Sequence, residues 1–194
     1  MRVTAGKIGG RRIRVPAGAV RPTQDRVREA LFSILGDKIS GCRFLDLFAG
    51  SGAVGLEAWS RGADHVSWVE ADSGVFRQMK QNIKELIKNE RSSMFRMDAI
   101  MFLNRGLEMN FDIVFADPPY EWLCAKPASQ GCTAIILRAL AAGAVLAEGG
   151  IVIIEQAKDA SKVDAARFGW VQIDDRTYGD TRLDIFKQAV GQAA

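Results

Sequence analysis

The chain of 194 residues has a single histidine and three cysteines. Lone His65 leaves no histidine cluster for a metal and no spare imidazole for a Ser/His/Asp triad. Cys42, Cys124 and Cys132 are scattered and odd in number, which argues against a disulfide framework and against a zinc site. No apolar run approaches the ~18–20 residues of a membrane span, and the first residues carry no apolar signal-peptide core. The expectation is a cytoplasmic chain without a metal. Internal repeats and low-complexity segments are also missing. What is present is ordinary: 48% hydrophobic and 25% charged residues, enough for a globular domain with a core.

The formal net charge is only +3, but it is unevenly placed. Residues 1–28 hold Arg2, Lys7, Arg11, Arg12, Arg14, Arg21, Arg26 and Arg28 against Asp25 alone, while the remainder is net acidic. A basic arm on an acidic body suggests a polyanion as partner, with the arm as the contact. A solvated charged hairpin is the alternative. Weak alternation around Gly6 and Gly9-Gly10 predicts two short hairpin strands over 2–5 and 11–15. The division expected is an arm over 1–20 and a main domain over 21–190.

Thr23 is the expected cap of a helix whose stripe is Val27, Ala30, Leu31, Ile34 and Leu35, stopped by Gly36. From Cys42 the pattern changes to strands alternating with helices. Strands are expected at 44–48, 65–70, 93–97, 111–116 and 150–155. Helices are expected at 53–61, 76–88, 99–103 and 134–146, with Met79, Ile83, Leu86 and Ile87 of the long one turned inward. Residues 170–178 and 181–187 read as a closing antiparallel pair around Gly179-Asp180. The fold class is α/β with a mostly parallel sheet and right-handed crossovers.

Two stretches carry chemistry. Gly50-Ser51-Gly52-Ala53-Val54-Gly55 is a G-x-G-x-x-G turn between a strand and a helix, with Glu70 at the end of the next strand. Those features permit NAD as well as another adenosine cofactor. Asp46 inside the strand before the turn, and Asp98 at the end of the third strand, favour S-adenosylmethionine. Three acids suit a cationic amino acid and an adenine edge better than a pyrophosphate. Each acid could instead be structural: Asp46 bonded to loop amides, Glu70 or Asp98 capping the following helix. The second stretch is Asp117-Pro118-Pro119-Tyr120, at the C-terminal end of an apolar strand, the edge where open α/β sheets bind ligands. A carboxylate, a fixed carbonyl and an aromatic face suit a flat ring bearing an amino group. Asp117 and the Pro118 carbonyl would accept its two N–H bonds, and Tyr120 would stack on it.

Leu45-Asp46-Leu47-Phe48-Ala49-Gly50-Ser51-Gly52, Gly55-Leu56-Glu57-Ala58 and Asp117-Pro118-Pro119-Tyr120 together resemble the class I amino-methyltransferases. Ala5-Gly6, Gly10-Arg11, the block Arg21 to Phe32, and Tyr178-Gly179-Asp180-Thr181 are similar to the bacterial RsmD-type 16S ribosomal RNA (guanine-N2) methyltransferases. The likeness runs from about Arg2 to Lys187. It implies a class I, Rossmann-like, seven-stranded sheet with helices on both faces and an N-terminal hairpin that grips RNA. It implies that Asp46, Phe48, Ala49, Gly50 and Gly52 hold the methionine part of S-adenosylmethionine, that Glu70 holds the ribose with Ala71 beside the adenine, and that Asp98 and the Ala99 amide hold the adenine edge. The substrate implied is 16S rRNA in the small ribosomal subunit or an assembly intermediate, contacted by Arg2, Lys7, Arg11, Arg12, Arg14 and Arg21. Apart from the resemblance, the expected state is a monomer. Ser33 stands where the pattern has asparagine, and 121–133 matches no pattern. The rivals are a DNA amino-methyltransferase, a non-catalytic RNA-binding module and an NAD-dependent oxidoreductase.

Overall fold

The computed structural model describes residues 1–15, 25–87, 91–105, 109–119 and 131–189. Its seven strands belong to one sheet. The chain falls into two compact units, Met1–Ala99 and Ile100–Ala194.

In the first unit, β1 (Arg43–Asp46), β2 (His65–Glu70) and β3 (Ser92–Arg96) run parallel in the order β3-β2-β1. Helix α1 (Asp25–Leu35) precedes them, α2 (Ala53–Ser60) joins β1 to β2, and α3 (Ser73–Leu86) joins β2 to β3. Both faces of β1 and β2 are covered, so Phe44, Leu45, Val66, Trp68 and Val69 are all buried, as parallel strands require. Helix α1 buries Val27, Leu31 and Leu35, four apart on one face, with Ala30 and Ile34 half-buried beside them. Phe32 stacks on Phe44 at 6.2 Å between centroids, and Ser33 faces solvent. Gly36 (φ 50°) ends this helix as a short 3₁₀ turn, Gly36–Ile39, begins.

The second unit orders its strands β4-β5-β7-β6: β4 (Phe111–Ala116), β5 (Leu146–Ala157), β7 (Thr181–Gln188) and β6 (Trp170–Tyr178). β4 and β5 are parallel, and β7 is antiparallel to both neighbours. Helix α4 (Ala99–Leu103) follows β3, and α5 (Cys132–Gly143) leads into β5. A buried polar cluster ties the antiparallel part together. Arg182 grips both oxygens of Asp184 (2.8 and 3.1 Å) and donates to the carbonyls of Lys158 and Ala160. Gln156 donates to the same Asp184 and accepts from Thr133 on α5. Among the described residues, no helix is long and apolar enough to cross a membrane.

Several boundaries differ from expectation for local reasons. Helix α3 starts at Ser73, not Phe76, because the Asp72 carboxylate accepts from the Gly74 and Val75 amides (2.8 Å each) and caps it there. Its last turn leaves Leu86 half-exposed, while Ile87 is buried. Helix α5 stops at Gly143, before residue 146, because Ala144 turns left-handed (φ 46°). A Cβ at Gly143 would lie 2.3 Å from the Leu103 carbonyl oxygen. Strand β5 is twice the expected length and starts at Leu146, opposite Phe111. Strand β1 ends at Asp46, with Leu47 and Phe48 already turning. The N-terminal strands reduce to a single bridge, Arg2 to Arg12, with flanking backbone bonds from Val3 to Arg11 and from Gly10 to Val3. Thr23, Arg21, Tyr120 and Cys124 lie outside the described residues.

Candidate functional site

The glycine turn sits between the end of β1 and the start of α2. Gly50 (φ 53°) and Gly52 (φ 81°) take left-handed conformations that a side chain would strain. The Gly52 amide closes the turn on the Ala49 carbonyl at 2.7 Å, and the Ala49 amide reaches the Val69 carbonyl at 2.9 Å. Gly55 serves another need: a Cβ there would lie 2.2 Å from Nε1 of buried Trp68. The third glycine is therefore fixed by helix–strand packing rather than by approach to a ligand.

Two acids bracket this turn. Asp46, 1% exposed, accepts from the Gly55 amide through Oδ2 at 2.9 Å. Glu70 accepts from the Gly50 amide through Oε2 (2.9 Å) and from the Asp72 amide through Oε1 (2.8 Å). Glu70 therefore bonds to loop amides, whereas Asp46, expected to bond loop amides, bonds instead an amide in the first turn of α2. The cap of α3 is Asp72, not Glu70. Burial pushes the Glu70 carboxyl above its usual range, although the amides of Asp72 and Gly50 pull the other way. The Met97 amide donates to the Glu70 carbonyl at 3.1 Å, which brings the end of β3 beside the end of β2. Asp98 there is half-buried, Ala99 is buried, Ala71 is exposed and Phe48 is half-buried. All nine expected cofactor residues fall in the first unit.

The basic arm belongs to the same unit. Arg2, Lys7, Arg11, Arg12 and Arg14 are exposed, with Arg14 paired to Glu85 at 3.1 Å and the Lys7 ammonium 5.6 Å over the Trp59 ring. Arg28, counted in the basic run from sequence, is fully buried and inaccessible to a polyanion. Its Nη2 donates to the Arg2 carbonyl (2.6 Å) and to Asp25 (3.0 Å), and its Nε lies 3.6 Å from Glu57.

Glu57, on α2, is the anchor that sequence reasoning missed. Its two oxygens accept from the Thr4 amide (2.7 Å), the Thr4 hydroxyl (2.6 Å), the Ala5 amide (3.0 Å) and Arg61 (2.8 Å). One turn on, Ser60 takes the Lys7 amide on its carbonyl (2.7 Å) and bonds Ala5 and Ile8 through its hydroxyl. Gly6 (φ 80°) passes so close that a Cβ would sit 2.0 Å from the Ser60 carbonyl oxygen. The available signal was a lone carboxylate within a helix that is otherwise apolar and almost wholly buried.

Asp117 and Pro118 lie in the second unit, directly after β4. Strand β4 is buried along its length except at Asp112, so it is a rigid base for them. Asp117 is half-buried, Pro118 buried and Pro119 exposed. Burial, with the Asp117 charge adding to it, pushes the Cys132 thiol up to about 12, so it stays neutral at the start of α5. Among the described residues no group of acids, histidines and cysteines could hold a metal ion.

The family model described as conserved hypothetical protein 95 matches residues 1–187. The ribosomal RNA small subunit methyltransferase D of Haemophilus influenzae is 32% identical over 190 residues, covering 96% of this chain and 93% of that protein. The protein of the same name from Escherichia coli K12 is 42% identical over 123 residues, 62% of this chain and 61% of that one. A solved structure of a hypothetical protein from Thermus thermophilus superposes with a TM-score of 0.76 at 30% identity, covering 95% of this chain and 98% of that one.

Proposed function

We propose, from the premise that this chain belongs to the conserved hypothetical protein 95 family of RsmD-type ribosomal RNA methyltransferases, that it methylates the exocyclic N2 of one guanine in 16S rRNA. The cofactor is S-adenosylmethionine, which supplies an electrophilic methyl group on a sulfonium when bound. The observation that carries the reading is the glycine turn set between two carboxylates, Glu70 bonded to the Gly50 amide in the turn and Asp46 to the Gly55 amide in the first turn of α2.

The donor chemistry fits that cofactor. Glu70 is influenced by backbone amides and by the Asp72 charge, and burial holds it above its ordinary pKa. Such a carboxylate gains from hydroxyl donors like those of a ribose. A pyrophosphate on the same turn would meet two acids, which disfavours a dinucleotide. In this role Asp46, Phe48, Ala49, Gly50 and Gly52 take the amino-acid part, Glu70 and Ala71 the ribose and ring, and Asp98 and Ala99 the adenine edge.

Guanine N2 is a weak nucleophile because its lone pair is delocalised into the ring. Asp117 and the Pro118 carbonyl accept its two N–H bonds, which turns the lone pair out of the ring plane. Pro118 and Pro119 hold that carbonyl in place, so little reorganises during reaction. Tyr120 stacks on the base, and Asp117 stabilises the positive charge that grows on nitrogen; the methylated nitrogen, acidic once it carries that charge, then loses its proton through Asp117 to water. In a duplex N2 faces the minor groove, so the target is unpaired or flipped out. Exposed Arg2, Lys7, Arg11, Arg12 and Arg14, with Arg21, contact phosphates. The test is mass spectrometry of nucleosides from small subunits of cells with and without this protein. An unchanged N2-methylguanosine count overturns the assignment.

Two results are expected for the binding steps. Alanine at Arg11 and Arg12 lowers the salt slope of RNA binding by about one unit for each phosphate no longer neutralised, whereas alanine at Arg14, already paired with Glu85, lowers it less. Filter binding over a salt series measures this, and parallel slopes for all three variants contradict it. The second concerns pH. A ribose donates to the ionised form of Glu70, so S-adenosylhomocysteine affinity falls as pH drops through this raised pKa, starting above the usual carboxylate range. Calorimetry from neutral pH down through the ordinary carboxylate range reads the effect. Glu70→Gln binds more weakly at neutral pH and flattens the profile, and an identical profile in the variant excludes Glu70 as its source.

A further inference from the structure

Asn82, on α3, is 2% exposed and uses its whole hydrogen-bonding capacity. Its Nδ2 donates to the Arg14 carbonyl at 2.8 Å and to the Ser51 carbonyl at 3.0 Å. Its Oδ1 accepts from the Arg14 amide at 3.2 Å and from Gln78 at 3.5 Å. One buried amide thus holds both backbone groups of a residue in the basic arm. The same amide holds the carbonyl of the residue between Gly50 and Gly52. The Arg14 side chain is pinned to the same helix, one turn on, by Glu85.

We propose that Asn82 is a positioning residue that couples the cofactor turn to the RNA arm, so that cofactor and ribosomal RNA bind with positive cooperativity; this rests on the function proposed above. Ser51 sits between two left-handed glycines, so its carbonyl direction follows the state of the turn. A ligand that settles the turn fixes that carbonyl. It thereby fixes the side-chain amide, whose other hydrogen and oxygen hold Arg14. Freedom given up at one end need not be given up again at the other, which makes the second ligand bind more tightly. The surface pair Arg14–Glu85 cannot do this alone, since exposed ion pairs are weak and salt-screened.

The experiment is a thermodynamic cycle on the full chain, with S-adenosylhomocysteine and small ribosomal subunits as the two probes. In the wild type, saturating subunits tighten S-adenosylhomocysteine by at least about fivefold, and by reciprocity S-adenosylhomocysteine tightens subunit binding by the same factor. In Asn82→Ala both ratios fall to within about twofold of one. A merely structural role weakens each binding step and leaves the ratio intact, which overturns the proposal, as does a ratio of one in the wild type. Should Asn82→Ala fail to fold, amide exchange in the wild type decides. S-adenosylhomocysteine alone slows exchange of the Arg14 amide by about tenfold, and unchanged exchange there overturns the coupling. Failure of S-adenosylhomocysteine to bind at all removes the proposed function and the coupling together, whereas binding without cooperativity removes the coupling alone.

Discussion

Asp117→Ala lowers kcat by roughly 10²–10³ and leaves S-adenosylhomocysteine affinity nearly unchanged, as removing one oriented electrostatic partner of a reacting atom does. The carboxylate follows a strand that is buried along most of its length, and the next residue, Pro118, is itself buried. The group is therefore held by the fold rather than by its ligand, which is the condition for stabilising charge without reorganisation. Asp117→Asn separates the two parts of the role. It retains an oxygen acceptor for one N–H but loses the charge that opposes the developing cation, so its rate falls between wild type and alanine. Single-turnover methyl transfer to small subunits makes the measurement, because product release then cannot mask the chemical step. A wild-type single-turnover rate in Asp117→Ala would remove this residue from the reaction.

The sequence made much of this legible, and the reasons differ between elements. Two strands of the parallel region were placed to the residue because both of their faces are buried: Phe111 to Ala116 is a near-continuous apolar run, and His65 to Glu70 buries Val66, Ser67, Trp68 and Val69. The first and third strands, expected at 44–48 and 93–97, lie at Arg43–Asp46 and Ser92–Arg96. The turn was readable because glycine takes the left-handed backbone at Gly50 and Gly52 without the strain a side chain adds. Boundaries were less legible where a side chain three residues away decides them. Asp72 moves the start of α3, and Ala144 adopts a left-handed conformation that its residue type gives no reason to expect. The long β5 was hidden because Glu148, Gly149 and Gly150 break its apolar run, although the strand continues through them. Least legible were the tertiary anchors. Glu57 meets Thr4 across 53 residues, and Asn82 meets Arg14 across 68. Neither separation leaves a periodic trace.

The same ordering explains the arm. Isolated two-stranded ribbons are marginal in water, and this one keeps a single bridge. Its order comes instead from α2, through Glu57 and Ser60, and from α3, through Asn82. The arm thus carries its cations outward on a backbone whose polar groups are satisfied from the body beneath, as the RNA contact proposed for it requires. Val3 and Ile13 are buried on the inner side while Arg2, Arg11, Arg12 and Arg14 face solvent.

Glu57→Gln tests that anchoring, with an expected loss of ~3–5 kcal/mol, the range for removing one partner from a buried ion pair. The carboxylate is fully buried between Arg28, also fully buried, and Arg61. Glutamine is nearly isosteric and can still accept from Thr4, but it removes the negative charge beside the Arg28 cation, whose Nη2 donates to Asp25 and to the Arg2 carbonyl. Burial by itself would raise the Glu57 pKa; the Thr4 hydroxyl and amide, with Arg61, outweigh it and hold the group below its usual range. The sign of the pH dependence follows. A depressed carboxylate contributes stability that is fully present above its unfolded pKa and is lost as pH falls through the folded one. The deficit of Glu57→Gln is thus largest near neutral pH and narrows in acid, below the ordinary glutamate range. Urea denaturation at a series of pH values makes the comparison, with the melting temperature at pH 7 lower by roughly 6–20 °C for a chain of this size. A deficit constant with pH would assign the loss to packing, not to charge. Amide exchange places the damage: the Thr4, Ala5 and Lys7 amides lose protection before the amides of β1 and β2, because the arm is tied to the body through the residue that has changed.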